Sequence, residues 1–478
     1  MLALYIILGL FGLLLAVLLI RAATFRPKAQ NFGAAEEIAF DKDAAVAALQ
    51  TLVQCKTISN VDPALEDDEE FQKLIDALPG LYPKVFDTCS LTTLPDRGLL
   101  FRWPGKQAEK PAVMMAHYDV VPVSEENWEK PPFAGIIEEG VLWGRGTLDT
   151  KVTFNGVLSA TNHLIGEGFT PENDIYFAFS GGEEINGKGA VRIVDYFVEN
   201  HIQPALVVDE GGAVVQNVFP GVKEPCGLIG IAEKGMMNVQ YTVHSGGGHA
   251  SAPPVKTPIT TLAETCQKVI RNPFKMHLTK PAAEMFDTLG RHSNFGLKLV
   301  FSNLWLFQPV LDLICKASGG EINALVRTTT AFTMMQGSKA RNVIPAEASL
   351  ISNMRLNPAD TVEAATAYLK KTVNDDSVEI TVLEGTNPSP ISETDCESWD
   401  KVAAAVAHTW PGCIVSPYLM VQCSDSRHYG KLSNHVYRFS AMDLTSEERK
   451  TIHGNNERIR LETIAKAVEF YIRLMKKC

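Results

Sequence analysis

The sequence predicts an α/β protein: a doubly wound, mostly parallel sheet with an α+β unit inserted into its chain. Three observations lead there. From about residue 40 short apolar runs alternate with helical stretches, the mark of an α/β core. Those runs (Leu99 to Arg102, Ala112 to Ala116, Ile175 to Ser180, Ala205 to Val208) are apolar nearly throughout, as strands covered on both faces are. After Gly235 the texture changes to strands that alternate apolar and polar residues, and the core pattern returns only after Asn387. A chain of 478 residues also exceeds what one ordinary core holds.

Taken in order, Leu2 to Ile20 runs without a charge or a proline, and at about 1.5 Å per residue nearly matches a hydrocarbon core of roughly 30 Å. It reads as a transmembrane anchor or an uncleaved signal, since no basic residue precedes it and Ala22-Ala23-Thr24 is a faint cleavage site. Arg21, Arg26 and Lys28 follow it, which by the positive-inside rule favours a cytoplasmic body. Residues 22–39 form a linker. Asp41 to Gln54, Val152 to Gly166 and Gly189 to Asn200 are amphipathic helices between the core strands. Met237 to Val243 alternates like a half-buried strand, and helical material begins near Thr257. Strand-rich chain from Arg327 to Met354, a helix from Thr361 to Thr372 and a strand from Val378 to Leu383 complete the insert. A helix from Glu457 to Lys476 ends the chain. The expected division is therefore 1–21, 22–39, a catalytic domain of 40–234 and 388–478, and an insert of 235–387. Phe295 to Cys315, rich in Leu, Phe and Trp, is too short for a clear second span.

Composition narrows the function. Hydrophobic residues at 46% and charged ones at 21% exclude a disordered or collagen-like chain. A net charge of -11 argues against nucleic acid, whose phosphates are met by clustered Lys and Arg. Nine scattered cysteines without a C-x-x-C pair suggest neither a disulfide frame nor a thiolate metal site.

The chemistry lies in acidic and His residues just past strand ends, where open α/β sheets bind their ligands. His117 and Asp119 follow Ala112 to Ala116. Asp149 precedes a helix in Gly144-Arg145-Gly146-Thr147-Leu148-Asp149-Thr150-Lys151. Glu183 and Glu184 follow Ile175 to Gly182, Asp209 and Glu210 follow Leu206 to Val208, and His453 precedes the last helix. Singly, each has a plainer explanation: a hydrogen-bonded turn His, a helix N-cap Asp, a solvated Glu pair. Converging on one sheet edge, the carboxylates would repel one another unless cations neutralised them. Two His and at least three carboxylates suit a pair of divalent ions about 3.5 to 4 Å apart. Zinc is the expected metal, although manganese and cobalt accept the same donors. A carboxylate outside the coordination shell could then carry the proton from water to a leaving nitrogen.

These motifs, together with Ala116-His117-Tyr118-Asp119-Val120-Val121-Pro122, Ser180-Gly181-Gly182-Glu183-Glu184, Asp209-Glu210-Gly211 and His453-Gly454-Asn455-Asn456-Glu457, resemble the metallopeptidase family of aminoacylase, carboxypeptidase S and succinyl-diaminopimelate desuccinylase. The likeness runs over nearly all of 40–478. It implies a zinc-exopeptidase-like catalytic domain with His117, Asp149, Glu184, Glu210 and His453 as metal ligands, Asp149 bridging. Glu183 would be the general base and acid, and Asp119 the carboxylate that orients His117. Asp209 and Glu210 are neighbours, so only one should face the metal; the family pattern favours Glu210. The insert resembles the family's lid. In it His249, within His244-Ser245-Gly246-Gly247-Gly248-His249-Ala250-Ser251, matches an oxyanion donor, the alternative being a cap on the turn at Pro253-Pro254. Asn342 and Arg355 resemble substrate-carboxylate binders, for which a planar guanidinium is suited. Arg427 is a further candidate, beside Cys423-Ser424-Asp425, where the family has Gly-Thr-Asp.

Leu325-Val326-Arg327-Thr328-Thr329-Thr330-Ala331 and Phe301-Ser302-Asn303-Leu304-Trp305-Leu306-Phe307 look most like the branch of carboxypeptidase S and the N-fatty-acyl-amino acid synthase/hydrolase. Phe295 to Cys315 then either lines a site for a long acyl chain or packs the lid. The expected activity is hydrolysis, or reversed formation, of an N-acyl amino acid amide, with a carboxypeptidase or dipeptidase as the alternative. Expected partners are a small-molecule substrate, the membrane through the N-terminal helix and, by resemblance, a second copy in a lid-to-lid dimer. A non-catalytic protein on this fold would be expected to have lost ligands or base, and every position is occupied here.

Overall fold

The structure, a computed structural model, describes residues 1–30 and 32–478. Its largest element is an eight-stranded sheet in the spatial order Ser90–Leu94, Gly98–Trp103, Asn173–Ser180, Gln107–His117, Leu206–Val215, Val436–Leu444, Cys226–Glu233, Ile414–Met420. The four central strands, from Asn173–Ser180 to Val436–Leu444, run parallel to one another. The strand adjoining that centre on either side, Gly98–Trp103 or Cys226–Glu233, is antiparallel to it, so the parallel pattern expected from the sequence holds where the site is built.

Alternation along each strand explains why the sheet is doubly covered. Phe101, Met114, Phe177 and Val208 point into one apolar layer with the helices Lys42–Val53, Lys151–Gly166, Glu397–Thr409 and Leu461–Met475. Their neighbours Leu100, Val113, Tyr176 and Val207 point the other way, against Ile193, Val194 and Phe197 of Gly189–Glu199. With period two and both faces buried, no polar residue can alternate in. The helix expected from Glu457 begins later, at Leu461, because Arg458–Arg460 pairs as a strand with Val141–Trp143.

The inserted chain forms a four-stranded antiparallel sheet in the order Thr329–Gln336, Glu347–Leu356, Gly235–His244, Val378–Thr386. The helices Pro258–Arg271 and Val362–Val373 pack on it around Met237, Tyr241, Leu262, Leu350 and Leu369. Residues 280–326 behave differently. Ala282, Met285, Phe286, Leu289, Leu311, Cys315, Leu325 and Val326 are buried in the larger core, and Lys280–Gly290 lies on the edge strand Ile414–Met420. Phe295 to Cys315, expected either to line an acyl-chain site or to pack the lid, thus packs through Leu311 and Cys315 on the large sheet's layer.

Candidate active site

Each sequence-expected metal-ligand candidate sits at the carboxyl end of the parallel strands. His117 closes Gln107–His117 and is buried. Its Nε2 lies 3.0 Å from Asp149 Oδ1 and 3.5 Å from Glu210 Oε1. From the turn after Thr451, His453 reaches across, its Nε2 3.0 Å from Asp149 Oδ2 and 3.1 Å from Glu184 Oε2. Asp149 thus stands between two imidazoles, one on each oxygen. One donor atom each of His117, Asp149 and Glu184 falls within 4.8 Å, and the same holds for His117, Glu183 and Glu210.

Neighbouring chain holds these groups in place. Asp119 turns back beneath His117, its Oδ1 3.3 Å from Nδ1. It also accepts from Ser59 Oγ (2.7 Å) and from the backbone N–H groups of Glu183 (3.1 Å) and Glu184 (3.2 Å), which fixes the short helical turn Glu183–Ile185. Glu457, fully buried, accepts from Arg145 Nη1 at 2.7 Å and from the N–H groups of Gly146, Leu148 and Asp149, so it pins the loop bearing Asp149. Neither Ser59 nor Glu457 was singled out from sequence. The signal for Glu457 was its place in the His453 motif, but only the fold brings Arg145 to it. Alternation on Leu206–Val215 separates the acidic neighbours: Glu210 faces the site, whereas Asp209 accepts from Ser426 N at 2.9 Å. Gly211 allows this path at φ +142°, where a β-carbon would stand 2.7 Å from both Arg438 Cβ and Met420 Sδ.

Crowded negative charge shapes the electrostatics. Burial pushes the Glu210 carboxyl up to about 8 despite His117 beside it, and pushes Glu183 well above the carboxylate range, with Asp425 and Glu210 adding to the rise. Burial would also raise Asp149, but the two imidazoles hold it below the usual range. His453 is drawn up to about 10 by Asp149 and Glu184. Glu184 Oε1 is buried without a hydrogen-bond partner. A buried, unsatisfied carboxylate oxygen among groups that resist shared ionisation is the donor set that divalent cations complete.

The cavity above these groups has a volume of about 590 Å³. Asp149, Glu183, Glu184, Glu210 and His453 form its floor, and Leu148, Ala213, Met420, Met442, Leu444 and Ile452 supply apolar wall. Arg355, on the lid strand Glu347–Leu356, donates from Nη1 to Cys423 Sγ at 3.1 Å, and Cys423 lines the cavity. Arg427 donates to Ser424 O (3.0 Å) and Asn186 Oδ1 (3.1 Å), within electrostatic reach of Glu183. His249 and Asn342 are not brought to the floor. They lie on exposed lid chain beside the short pairing of Gly248–His249 with Val343–Ile344, and His249 Nδ1 is 2.7 Å from Ser251 Oγ. No residue from 295–318 lines the cavity.

The model of peptidase family M20/M25/M40 matches residues 113–477. The chain is 32% identical to the "probable carboxypeptidase S-like 2" of Dictyostelium discoideum, over 98% of this chain and 92% of that one. It is 35% identical to the N-fatty-acyl-amino acid synthase/hydrolase PM20D1 of Xenopus tropicalis, over 97% of this chain and 92% of the relative. Among solved structures, the M20 family metallo-carboxypeptidase Sso-CP2 from Sulfolobus solfataricus superposes with a TM-score of 0.67 at 18% identity, covering 90% of this chain and 98% of that one, a likeness of fold. With its imidazole and carboxylate cluster at the carboxyl edge of the parallel strands, the chain belongs to peptidase family M20/M25/M40 and is a metal-dependent amide hydrolase.

Proposed function

We propose that the protein hydrolyses, and in reverse forms, the amide bond of N-acyl amino acids, with long acyl chains as the preferred class. The observation that carries this reading is the cavity, whose polar floor meets a wall of Leu148, Ala213, Met420, Met442, Leu444 and Ile452. A dipeptide offers little for such a wall to bury, whereas each methylene of an acyl chain gains about 0.8 kcal/mol on leaving water. The name of the Xenopus relative, an N-fatty-acyl-amino acid synthase/hydrolase, agrees with it.

In this reading His117, Asp149, Glu184, Glu210 and His453 would hold two divalent ions, zinc by preference, with Asp149, which has an imidazole on each oxygen, as the shared ligand. Bound there, the ions would polarise the amide carbonyl and acidify a water molecule. Glu183 removes a proton from the attacking water as its oxygen bonds to the acyl carbon. It delivers that proton to the nitrogen as the C–N bond breaks, leaving an amine and a carboxylic acid, whose remaining proton is then lost to solvent to give the carboxylate. Asp119 fixes the ring of His117 through Nδ1. Arg355, Arg427 and Asn342 receive the substrate carboxylate, and His249 donates to the oxyanion when a lid, from this chain or a second copy, comes over the site.

We further propose that Leu2–Thr24, an apolar helix of 23 residues that is almost wholly exposed, anchors the chain in a membrane. The deciding experiment is metal analysis of the purified protein beside turnover of N-oleoyl-phenylalanine and a Gly-Leu dipeptide. Zinc at about two per chain with faster oleoyl turnover is expected; preference for the dipeptide would shift the reading to a carboxypeptidase or dipeptidase.

A further inference from the structure

We propose that the helix pair Phe295–Phe301 and Leu304–Ser318 is a second membrane element, lying in the surface of the bilayer that holds the N-terminal helix. It rests on the anchor reading above and adds a surface that the anchor does not require.

Leu304–Ser318 has two apolar faces separated on one side by a polar stripe of Gln308, Asp312 and Lys316 at four-residue spacing. Leu311 and Cys315 are buried in the large core, and Leu304 packs against it. Opposite them Leu306, Val310, Leu313 and Ile314 point outward at helical spacing, with Leu313 68% exposed, and Trp305 beside them is 58% exposed. The two charged side chains of this helix, Asp312 and Lys316, pair with each other at 2.7 Å, and Asp312 also meets Arg327 at 2.5 Å. The outward face therefore carries no unpaired charge. A helix with two apolar faces needs an apolar environment on both, and the protein covers only the face of Leu311 and Cys315. Trp305 adds an amphipathic ring of the kind that settles at the headgroup level.

Continuity with the anchor identifies lipid as the occupant. The two helices meet at 105° around Ser302 and Asn303, and the end of the N-terminal helix is fastened to that joint. Arg21 donates to Ser302 O through Nε (3.0 Å) and Nη2 (2.7 Å), and Asn303 Nδ2 donates to Leu18 O at 3.2 Å. Just beyond, Phe25 is buried beneath the guanidinium of Arg291, 4.3 Å from its ring centre, and Lys28 pairs with Asp287 at 2.9 Å. The span thus leaves the body at the foot of the exposed apolar row. The same row is tied to the active site: the next helix, Gly320–Val326, carries Glu321, which pairs at 3.3 Å with Arg449 on the cavity rim. A bilayer-lodged Leu304–Ser318 therefore sets where that rim stands relative to lipid.

The test reads Trp305 fluorescence in the full chain, reconstituted into nanodiscs of phosphatidylcholine either plain or brominated near the top of one acyl chain. Trp305→Phe isolates the signal. Because an interfacial helix sinks about 5–10 Å into the headgroup boundary, the wild-type minus variant emission should fall by more than about half in brominated discs. Leu313→Glu with Ile314→Glu should restore most of it. An intact anchored chain whose Trp305 emission is the same in both discs overturns the inference, as does protection of Trp305 by a crosslinkable second copy instead of lipid. Loss of residues 1–24, seen by mass spectrometry of the amino-terminal peptide, overturns the anchor reading and this inference with it, and is distinguishable from either.

Discussion

Asp119 accepts three hydrogen bonds, from Ser59 Oγ and from the N–H groups of Glu183 and Glu184, while facing the Nδ1 of His117. All its partners are donors, so Asp119→Asn would set an amide NH₂ against an N–H. Metal affinity is expected to fall by about 10–100-fold, read by competition with a chelating dye. Glu183→Gln, in contrast, should keep its metal and lose about 10²–10⁴ in kcat, because only the proton relay is removed; a variant with both metal and full turnover would displace Glu183 from that role. The groups that meet at the sheet edge were legible because each lies in a short motif, after an apolar run for His117, Glu184 and Glu210 and before a helix for Asp149 and His453. Ser59 and Glu457 escaped it because their partners lie 60 and more than 300 residues away, and no local pattern encodes a hydrogen bond of that span. Asp209 against Glu210 needed the strand's pleat, which turns one to Ser426 and the other to His117.

At the scale of elements, the strand pair that joins the two sheets turns on one buried cation. Lys234 stands between Cys226–Glu233 and Gly235–His244, its Nζ donating to Ala324 O (2.9 Å) and Arg327 O (2.8 Å). Burial, helped by Arg355, pushes its ammonium down from the ordinary 10.5 to about 7. Between those two values the unfolded chain binds more protons than the folded one, so this group makes stability rise with pH above about 7, by an amount on the order of a few kcal/mol. Lys234→Met is expected to lower the denaturation midpoint by leaving two carbonyls unpaired. The gap to wild type should widen from pH 7 to pH 10 in parallel denaturant titrations; a gap that stays constant or narrows would mean the ammonium is not held down. Periodicity located the neighbouring helices Lys151–Gly166 and Gly189–Glu199 to within a residue. It could not assign Leu304–Ser318 to a layer, because a helix apolar on both faces has no face that points to a single partner.

For the whole molecule, the position of the lid decides which chain completes each site. The division into a large sheet and an inserted four-stranded one was legible from the change of texture at Gly235, but relative placement depends on contacts that sequence spacing does not contain. His249 is exposed on the lid, held to Ser251, and lines no part of the cavity. Beside it, the edge strand Thr329–Gln336 leaves Met334 and Met335 about half exposed, a free backbone edge of the sort that pairs with a second copy. If a lid-to-lid dimer delivers His249 to the neighbour's floor, two inactive chains should rescue each other. His249→Ala retains Glu183 and lacks the donor, Glu183→Gln retains the donor and lacks the base, and a mixed dimer joins an intact base to an intact donor. Co-expression at equal levels should then restore activity at about a quarter of the sites, since half the dimers are mixed and each repairs one site. If His249 acts within its own chain no site in any dimer is whole, and the mixture stays as inactive as its parts.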